Sequence, residues 1–231
     1  MTGERGILPW MEFLGKKVAG AVFDMDGLLL DTERISLRAW QAGAAAVGVE
    51  MPDSMFLDMI GRRHEDCRAV LVRHAGRALD LEAISRAMYA DYERRLTTGV
   101  PVMAGARELL SKLHASGLPL GVATSTRTEL ARRKLAKAGL LDFFRSVTGG
   151  DGVARGKPAP DIYLAAAEAL GVPSHECAAF EDSPPGALSA VAAGMRVALV
   201  PDMVRPAPEV VMAVSVVLPS LVDALGLFSE L

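Results

Sequence analysis

Five short apolar stretches recur along the chain, and none of them alternates polar with apolar positions. Uninterrupted runs of this length are typical of strands that are buried on both faces of a parallel sheet. We therefore predict five strands in the interior of one sheet. The stretches are residues 18–23, 119–123, 177–180, 196–200 and 214–218.

Helical periodicity fills the intervals between most of these strands. In the first such interval, Leu109, Leu110 and Leu113 share one face of a helix. Strands that alternate with helices indicate an α/β fold with a parallel sheet. The predicted helices are residues 104–116, 128–138, 161–170 and 183–193.

One long segment, residues 32–99, breaks this alternation. Its apolar residues repeat at helical spacing, as where Leu37, Trp40 and Ala44 share a face, and no buried strand is recognisable in it. Gly99 and Pro101 punctuate the return to the sheet. The segment is therefore predicted to be a small helical domain inserted after the first strand. The predicted organisation is a tail at residues 1–17, a core at residues 18–31 and 100–231, and the insertion at residues 32–99.

Composition narrows the possible partners and compartment. The chain has 231 residues, of which 51% are hydrophobic, enough for a substantial core. The formal net charge is -3 and no basic run is present, which argues against binding to nucleic acid. Two distant cysteines do not suggest a disulfide framework, and no apolar run approaches the roughly 20 residues that span a bilayer. We expect a cytoplasmic protein that binds neither nucleic acid nor membrane.

Two carboxylates end the first predicted strand. Asp24 and Asp26 are two residues apart, so in extended backbone their side chains face the same side, and Gly27 then permits a sharp turn. Ligands of parallel sheets bind beyond the carboxyl ends of the strands. A bound cation would relieve the repulsion between the two carboxylates. Taken alone, the pair also fits an ordinary surface turn.

A second acidic pair, Glu181 and Asp182, ends the predicted strand at residues 177–180. By itself it fits a helix N-cap equally well. At the same sheet edge as Asp24 and Asp26, however, it would complete an oxygen-ligand site. Mg²⁺ bound by one or two carboxylates and a phosphate suits such a site best.

Hydroxyl groups and one lysine supply candidate phosphate ligands. Thr124 and Ser125 follow the predicted strand at residues 119–123, and Lys157 lies between Gly156 and Pro158. A turn of this kind can hold phosphate oxygens, and an ammonium can neutralise charge on a transferred phosphoryl group. The alternatives are a capped strand-to-helix turn and a solvated loop lysine.

The order of these motifs resembles that of the haloacid dehalogenase superfamily, in the branch that holds β-phosphoglucomutase, phosphoglycolate phosphatase and pseudouridine-5'-phosphatase. The resemblance covers residues 18–217 and implies a Rossmann-like, doubly wound core with the helical insertion as its cap. The matching stretches are residues 23–33 (beginning Phe23-Asp24-Met25-Asp26-Gly27), 123–125 (Ala123-Thr124-Ser125), 156–161 (beginning Gly156-Lys157-Pro158) and 180–183 (Phe180-Glu181-Asp182-Ser183), with Gly186 and residues 193–195.

The resemblance implies a role for each of four catalytic residues. Asp24 would attack phosphorus and become an aspartyl phosphate. Asp26 would protonate the leaving oxygen and later take a proton from water. Thr124 and Lys157 would hold the phosphoryl oxygens as charge develops on them.

The resemblance also implies Mg²⁺ as the cofactor. Its ligands would be a carboxylate oxygen of Asp24, the backbone carbonyl of Asp26, and Asp182, with Glu181 bound directly or one shell further out. The presence of Asp26 favours phosphoryl transfer over carbon–halogen cleavage, because dehalogenases of the superfamily lack that second aspartate.

A phosphatase is favoured over a mutase. In β-phosphoglucomutases a histidine of the first cap helix restrains the general acid–base aspartate, and Ser36 stands at the matching position here. Two alternatives remain open. One is a sugar-phosphate mutase with a replacement for that histidine, and the other is a non-catalytic binding protein on the same scaffold.

The substrate is expected to be a small phosphorylated metabolite, such as a sugar phosphate or a compound like a nucleoside monophosphate. Arg62, Arg63 and His64 fall where cap residues of relatives face the substrate, and Arg127 and Ser125 could reach the same space. Cations there would suit a second anionic group, although a solvated basic turn is the simpler interpretation. A monomer is expected, because opening of a cap needs a free edge.

Overall fold

The computed structural model describes residues 11–97 and 99–230. Residues 1–10 of the predicted tail lie outside the described residues. The strands, in chain order, are β1 (Met11–Phe13), β2 (Lys16–Val18), β3 (Gly20–Phe23), β4 (Leu120–Thr124), β5 (Ser146–Gly149), β6 (Cys177–Glu181), β7 (Arg196–Leu199), β8 (Val216–Val217) and β9 (Phe228–Glu230).

Helices account for most of the remaining described residues. Among them, none is both long and apolar enough to cross a membrane. The α-helices are α1 (Glu33–Ala45), α2 (Asp53–Leu57), α3 (His64–Ala75), α4 (Leu81–Arg95), α5 (Ala106–Ala115), α6 (Thr128–Lys137), α7 (Asp161–Leu170), α8 (Pro184–Ala192), α9 (Pro208–Ala213) and α10 (Leu221–Ala224). Short 3₁₀ turns occur at Leu141–Phe143, Gly150–Gly152 and Ser174–Glu176.

Six parallel strands form the central sheet, in the order β5-β4-β3-β6-β7-β8. All five predicted strands are present as β3, β4, β6, β7 and β8, with ends within two residues of the prediction. The edge strand β5 was not predicted, because Ser146–Gly149 carries few apolar side chains and is only half-buried. The α/β fold class is thus confirmed.

Helices cover both faces of this sheet. Phe23 and Phe180 stack with their ring centroids 4.7 Å apart in the core on one face, which also contains Leu109 of α5. Val22 and Ile162 of α7 belong to the core on the other face. Successive strand residues point to opposite faces, so an uninterrupted apolar strand requires helices on both.

A small antiparallel sheet corrects the prediction of a tail through residue 17. Strand β1 pairs with β2, where Met11 lies opposite Val18, and with β9, where Phe13 lies opposite Phe228. Phe13 is fully buried, and its ring centroid lies 5.1 Å from that of Phe228 and 5.8 Å from that of Phe180. The predicted run at residues 18–23 therefore spans the end of β2 and all of β3.

Within residues 32–99 the described residues form the helices α1 to α4 and no strand. Helices α1 and α4 pack closely because Gly43 of α1 has no side chain. A Cβ atom at that position would lie 2.9 Å from the carbonyl oxygen of Ile84 and 3.1 Å from the Cβ atom of Met88. The insertion therefore has its own tightly packed helix pair.

Gly43→Ala is expected to lower the free energy of unfolding by about 1–2 kcal/mol, because overpacking of α1 against α4 outweighs the better helix propensity of Ala. Chemical denaturation followed by circular dichroism measures the change. Gly152→Ala is the control, since a Cβ atom at Gly152 meets nothing within 4 Å. Equal stability of the two variants would contradict close packing at Gly43.

Candidate active site

The predicted motifs converge at the carboxyl edge of the central sheet. Asp24 directly follows β3, Thr124 ends β4, and Glu181 ends β6 with Asp182 after it. Strands β3, β4 and β6 are adjacent, so these residues lie side by side. All four side chains belong to buried residues. This is the edge at which parallel sheets bind ligands.

Lys157 joins two of these carboxylates. Its loop, between β5 and α7, places Nζ 2.5 Å from Oδ1 of Asp24 and 2.5 Å from Oε1 of Glu181. The Lys157 and Glu181 side chains are 1% and 0% exposed. Burial alone would lower the pKa of Lys157, but the two carboxylates raise it above its ordinary value. Burial also raises the pKa of Asp24 to about 7, against the opposing effect of Lys157.

Glu181 is saturated with hydrogen bonds besides its bond to Lys157. The Tyr163 hydroxyl donates to Oε1 at 2.9 Å. The backbone N–H groups of Asp182 and Ser183 and the Ser183 hydroxyl donate to Oε2 at 3.0, 3.0 and 2.9 Å. Because these contacts occupy both carboxylate oxygens, Glu181 is better suited to orienting Lys157 than to binding a metal directly. Tyr163 was not predicted as a site residue, because the helical pattern of α7 indicates only that Tyr163 packs in the core.

Three side chains cradle Asp26. The hydroxyl of Thr32 donates to Oδ1 at 2.5 Å, that of Thr126 donates to Oδ2 at 2.7 Å, and Nζ of Lys134 donates to Oδ1 at 2.6 Å. Burial alone would raise the pKa of Asp26, but Lys134 and the hydroxyls lower it below its ordinary value. Lys134 was not predicted as a site residue, since it stands among several cationic residues of α6 and only the fold separates it from them.

Asp182 has the environment of a cation ligand. Its carboxylate accepts no hydrogen bond from the described residues, and burial with the neighbouring charges of Glu181 and Asp24 raises its pKa well above the ordinary value. A Cβ atom at Gly27 would lie 2.4 Å from Oδ2 of Asp182, so the carboxylate rests against the turn after Asp26. This donor set fits Mg²⁺. No group of three acidic, histidine or cysteine side chains in the described residues is placed to hold a metal by itself.

A cavity of about 430 Å³ opens between the sheet edge and the helical insertion. Asp24, Asp26 and Thr124 line it, whereas the buried Lys157 and Asp182 do not. The predicted substrate residues Ser125, Arg62, Arg63, His64 and Arg127 all line it as well.

Most of these substrate candidates already have partners. Ser125 donates to the carbonyl of Gly61 at 2.8 Å, which ties the β4–α6 loop to the insertion. Arg63 pairs with Asp66 at 3.2 Å, and Arg127 lies 3.9 Å from Asp151. Arg62, by contrast, forms no ion pair among the described residues and donates through Nε to a backbone carbonyl at 2.6 Å.

His64 is a packed residue. Its ring lies between those of Trp40 and Tyr89, with centroid distances of 5.0 and 5.2 Å, and Nε2 is 3.0 Å from the Ser85 hydroxyl oxygen. Burial lowers the pKa of His64. The imidazole forms the middle of an aromatic stack on the wall of the cavity.

Comparisons with known proteins point to one family. The model of the haloacid dehalogenase-like hydrolases matches residues 18–194. A Drosophila melanogaster protein named "Probable pseudouridine-5'-phosphatase" is 38% identical over 193 residues, which are 81% of this chain and 83% of that protein. Hexitol phosphatase A of Escherichia coli K12 is 35% identical over 180 residues, covering 77% and 81%. Crystalline CbbY from Rhodobacter sphaeroides in complex with phosphate has a TM-score of 0.77 at 26% identity, covering 91% and 99%.

Tyr163→Phe is expected to lower the free energy of unfolding by about 1.5–3 kcal/mol, because a hydrogen bond to a buried charged group is lost. Thermal or denaturant unfolding measures the effect. Tyr89→Phe is the matched control, since the Tyr89 hydroxyl has no hydrogen bond among the described residues and the side chain is partly exposed. A loss of the same size in both variants would show that Tyr163 does not stabilise Glu181.

Proposed function

Since the chain belongs to the haloacid dehalogenase-like hydrolase family and is a phosphatase, we propose that it uses Mg²⁺ and an aspartyl phosphate on Asp24 to hydrolyse the phosphomonoester of a small metabolite. The position of Asp24 carries this proposal. Nζ of Lys157 lies 2.5 Å from Oδ1 of Asp24, whereas Oδ2 of Asp24 accepts no hydrogen bond from the described residues. Asp24 also lines the cavity. One carboxylate oxygen is thus anchored and the other is available for attack.

The reaction has two steps. The free oxygen of Asp24 attacks phosphorus, the bond from phosphorus to the ester oxygen breaks, and Asp26 gives that oxygen a proton. In the second step water attacks the aspartyl phosphate, Asp26 takes the water's proton, and inorganic phosphate leaves. Asp26 is thereby reset, and no redox partner is needed.

The remaining residues stabilise charge on the transferred group. Thr124 and Lys157 are proposed to bind the phosphoryl oxygens as negative charge develops on them. Asp24, the backbone carbonyl of Asp26, and Asp182 would hold Mg²⁺, which when bound offsets the repulsion between nucleophile and phosphate. Glu181 would act one shell further out, because its oxygens are engaged with Lys157, Tyr163 and the start of α8.

A sugar phosphate or a compound like a nucleoside monophosphate is the proposed substrate class. The cavity of about 430 Å³ suits a small molecule. Relatives named for pseudouridine 5'-phosphate and hexitol phosphates act on molecules of that class. Arg62, which lacks an acidic partner, is the candidate to bind the group remote from the scissile phosphate.

We favour a phosphatase over a mutase because of the residues that contact Asp26. Ser36 lines the cavity but makes no hydrogen bond to Asp26, whose partners are Thr32, Thr126 and Lys134. A mutase must keep water from the aspartyl phosphate, and Ser36 stands here where the β-phosphoglucomutases have the histidine that restrains the acid–base aspartate. A non-catalytic scaffold would not require Asp24, Lys157 and Asp182 together.

We propose that this activity belongs to a cytoplasmic monomer. Both cysteines, Cys67 and Cys177, are free and buried, which fits a reducing compartment. The sequence has no basic run that would favour nucleic acid.

Phosphate release from a panel of sugar phosphates, nucleotides, phosphoglycolate and pseudouridine 5'-phosphate tests the proposal. We expect release from one class with Mg²⁺ and its loss with a chelator. Asp24→Asn should reduce turnover to background, and the phosphoryl adduct that we expect mass spectrometry to detect on the wild-type chain should be missing from this variant. Asp26→Asn should reduce kcat by about 10²- to 10⁴-fold.

The control for these variants is Asp142→Asn, since Asp142 is exposed in the 3₁₀ turn Leu141–Phe143 and does not line the cavity. Full activity of Asp24→Asn would overturn the mechanism. Conversion of β-glucose 1-phosphate in the presence of glucose 1,6-bisphosphate, without free phosphate, would make the chain a mutase.

A further inference from the structure

One buried cation of the cavity, Lys134, has no role in the mechanism above. Its side chain is only 6% exposed, and it lies on α6 among cationic residues that face solvent, such as Arg133 and Lys137 at 52% and 47%. Burying an ammonium is unfavourable unless a partner of opposite charge is close. That partner is Asp26, whose Oδ1 lies 2.6 Å from Nζ.

The contacts of Asp26 distinguish its two oxygens. Oδ1 accepts hydrogen bonds from both Lys134 and the Thr32 hydroxyl, which occupy the two acceptor positions of a carboxylate oxygen. Oδ2 accepts only one, from the Thr126 hydroxyl. Because an ammonium can only donate, Oδ1 cannot carry a proton toward Lys134. One position on Oδ2 remains for exchange with a substrate.

The helical insertion covers this contact. The ring of Tyr92, on α4, lies 4.9 Å from Nζ of Lys134, a distance at which a cation interacts with an aromatic ring. Tyr92 is itself buried. Lys134 thus contacts the acid–base residue of the core and a side chain of the insertion at once.

From this geometry we propose that Lys134 is a positioning residue for Asp26: it occupies Oδ1, so that Oδ2 delivers the proton to the leaving alcohol. The inference rests on the proposed function. In the first step the O–H bond at Oδ2 breaks as the alcohol O–H bond forms, while the ester P–O bond breaks and the bond from Asp24 to phosphorus forms. The proton on Oδ2 is the one that Asp26 takes from the attacking water in the second step, so protons and electron pairs balance over the whole cycle of Asp24, Asp26, substrate and water.

This role has a consequence that depends on the leaving group. Phenyl phosphate and p-nitrophenyl phosphate have similar shapes, but p-nitrophenolate leaves readily without a proton and phenolate does not. If Lys134 aligns the proton donor, then replacing Lys134 must lower kcat/KM for phenyl phosphate more than kcat/KM for p-nitrophenyl phosphate. A residue that merely stabilises the fold would affect both esters equally.

The experiment compares kcat/KM for the two esters in wild type, Lys134→Met and the matched control Lys137→Met. Since kcat/KM reports the steps through departure of the first product, it isolates proton donation to the leaving group. We expect Lys134→Met to lose at least about tenfold more on phenyl phosphate than on p-nitrophenyl phosphate, within the range of general acid catalysis. Lys137→Met should keep the wild-type ratio.

Equal losses on both esters in Lys134→Met would overturn the proposal. In the Asp26→Asn background, Lys134→Met should leave the ester ratio unchanged, and a further change there would also overturn it. If Lys134→Met does not fold, Lys134→Gln, which is shorter and uncharged, is tested in the same way.

A second measurement needs no turnover. The unfolding midpoints of Lys134→Met, Asp26→Asn and the double variant form a cycle, and residues in contact give non-additive shifts. Additive shifts would refute the contact itself. A wild-type chain that releases phosphate from none of the metabolites in the panel would count against the proposed function, whereas this cycle would still decide whether Lys134 holds Asp26.

Discussion

The bridge from Lys157 to Asp24 and Glu181 is the interaction on which the rest of the site depends. Three buried charges can coexist only if they are paired at short range and their remaining hydrogen-bonding positions are filled. Here the ammonium lies 2.5 Å from an oxygen of each carboxylate. The requirement brings together the end of β3, the end of β6 and the loop before α7, which are far apart in the chain.

Glu181 connects this bridge to the neighbouring helices. Its other hydrogen bonds come from the Tyr163 hydroxyl of α7 and from Ser183, the N-cap residue of α8, and a Cβ atom at Gly186 would lie 1.8 Å from Oε1 of Glu181. A glycine is therefore needed where α8 approaches the carboxylate. Asp24 is thus oriented by Lys157, and Lys157 is held in turn by Glu181, which residues of α7 and of the α8 N-cap contact.

The sequence predicted the elements whose local pattern reflects their environment. Strands β3, β4 and β6 are buried on both faces, so their apolar runs are unbroken and their polar ends mark the active edge. Strands β1, β2 and β9 have three residues each, too few for a pattern to emerge. The partners of Asp26 and Glu181 could not be predicted. In the helical patterns of the sequence, Lys134 looks like a solvated residue and Tyr163 looks like a packed one. Only the distances across the fold give them their roles.

The pairing of β1 with β9 bears on how the chain acquires its structure during synthesis. Phe13 rests on Phe228 and Phe180, residues that a ribosome adds long after it. Contacts of such wide sequence separation form late, because closing a long loop has to precede them. Until β9 has been synthesised, the edge of β1 that pairs with β9 has no partner, and an isolated two-stranded hairpin of β1 and β2 would be only marginally stable in water. The small sheet can therefore be completed only after nearly the whole chain has been made, although its first two strands are among the first residues synthesised.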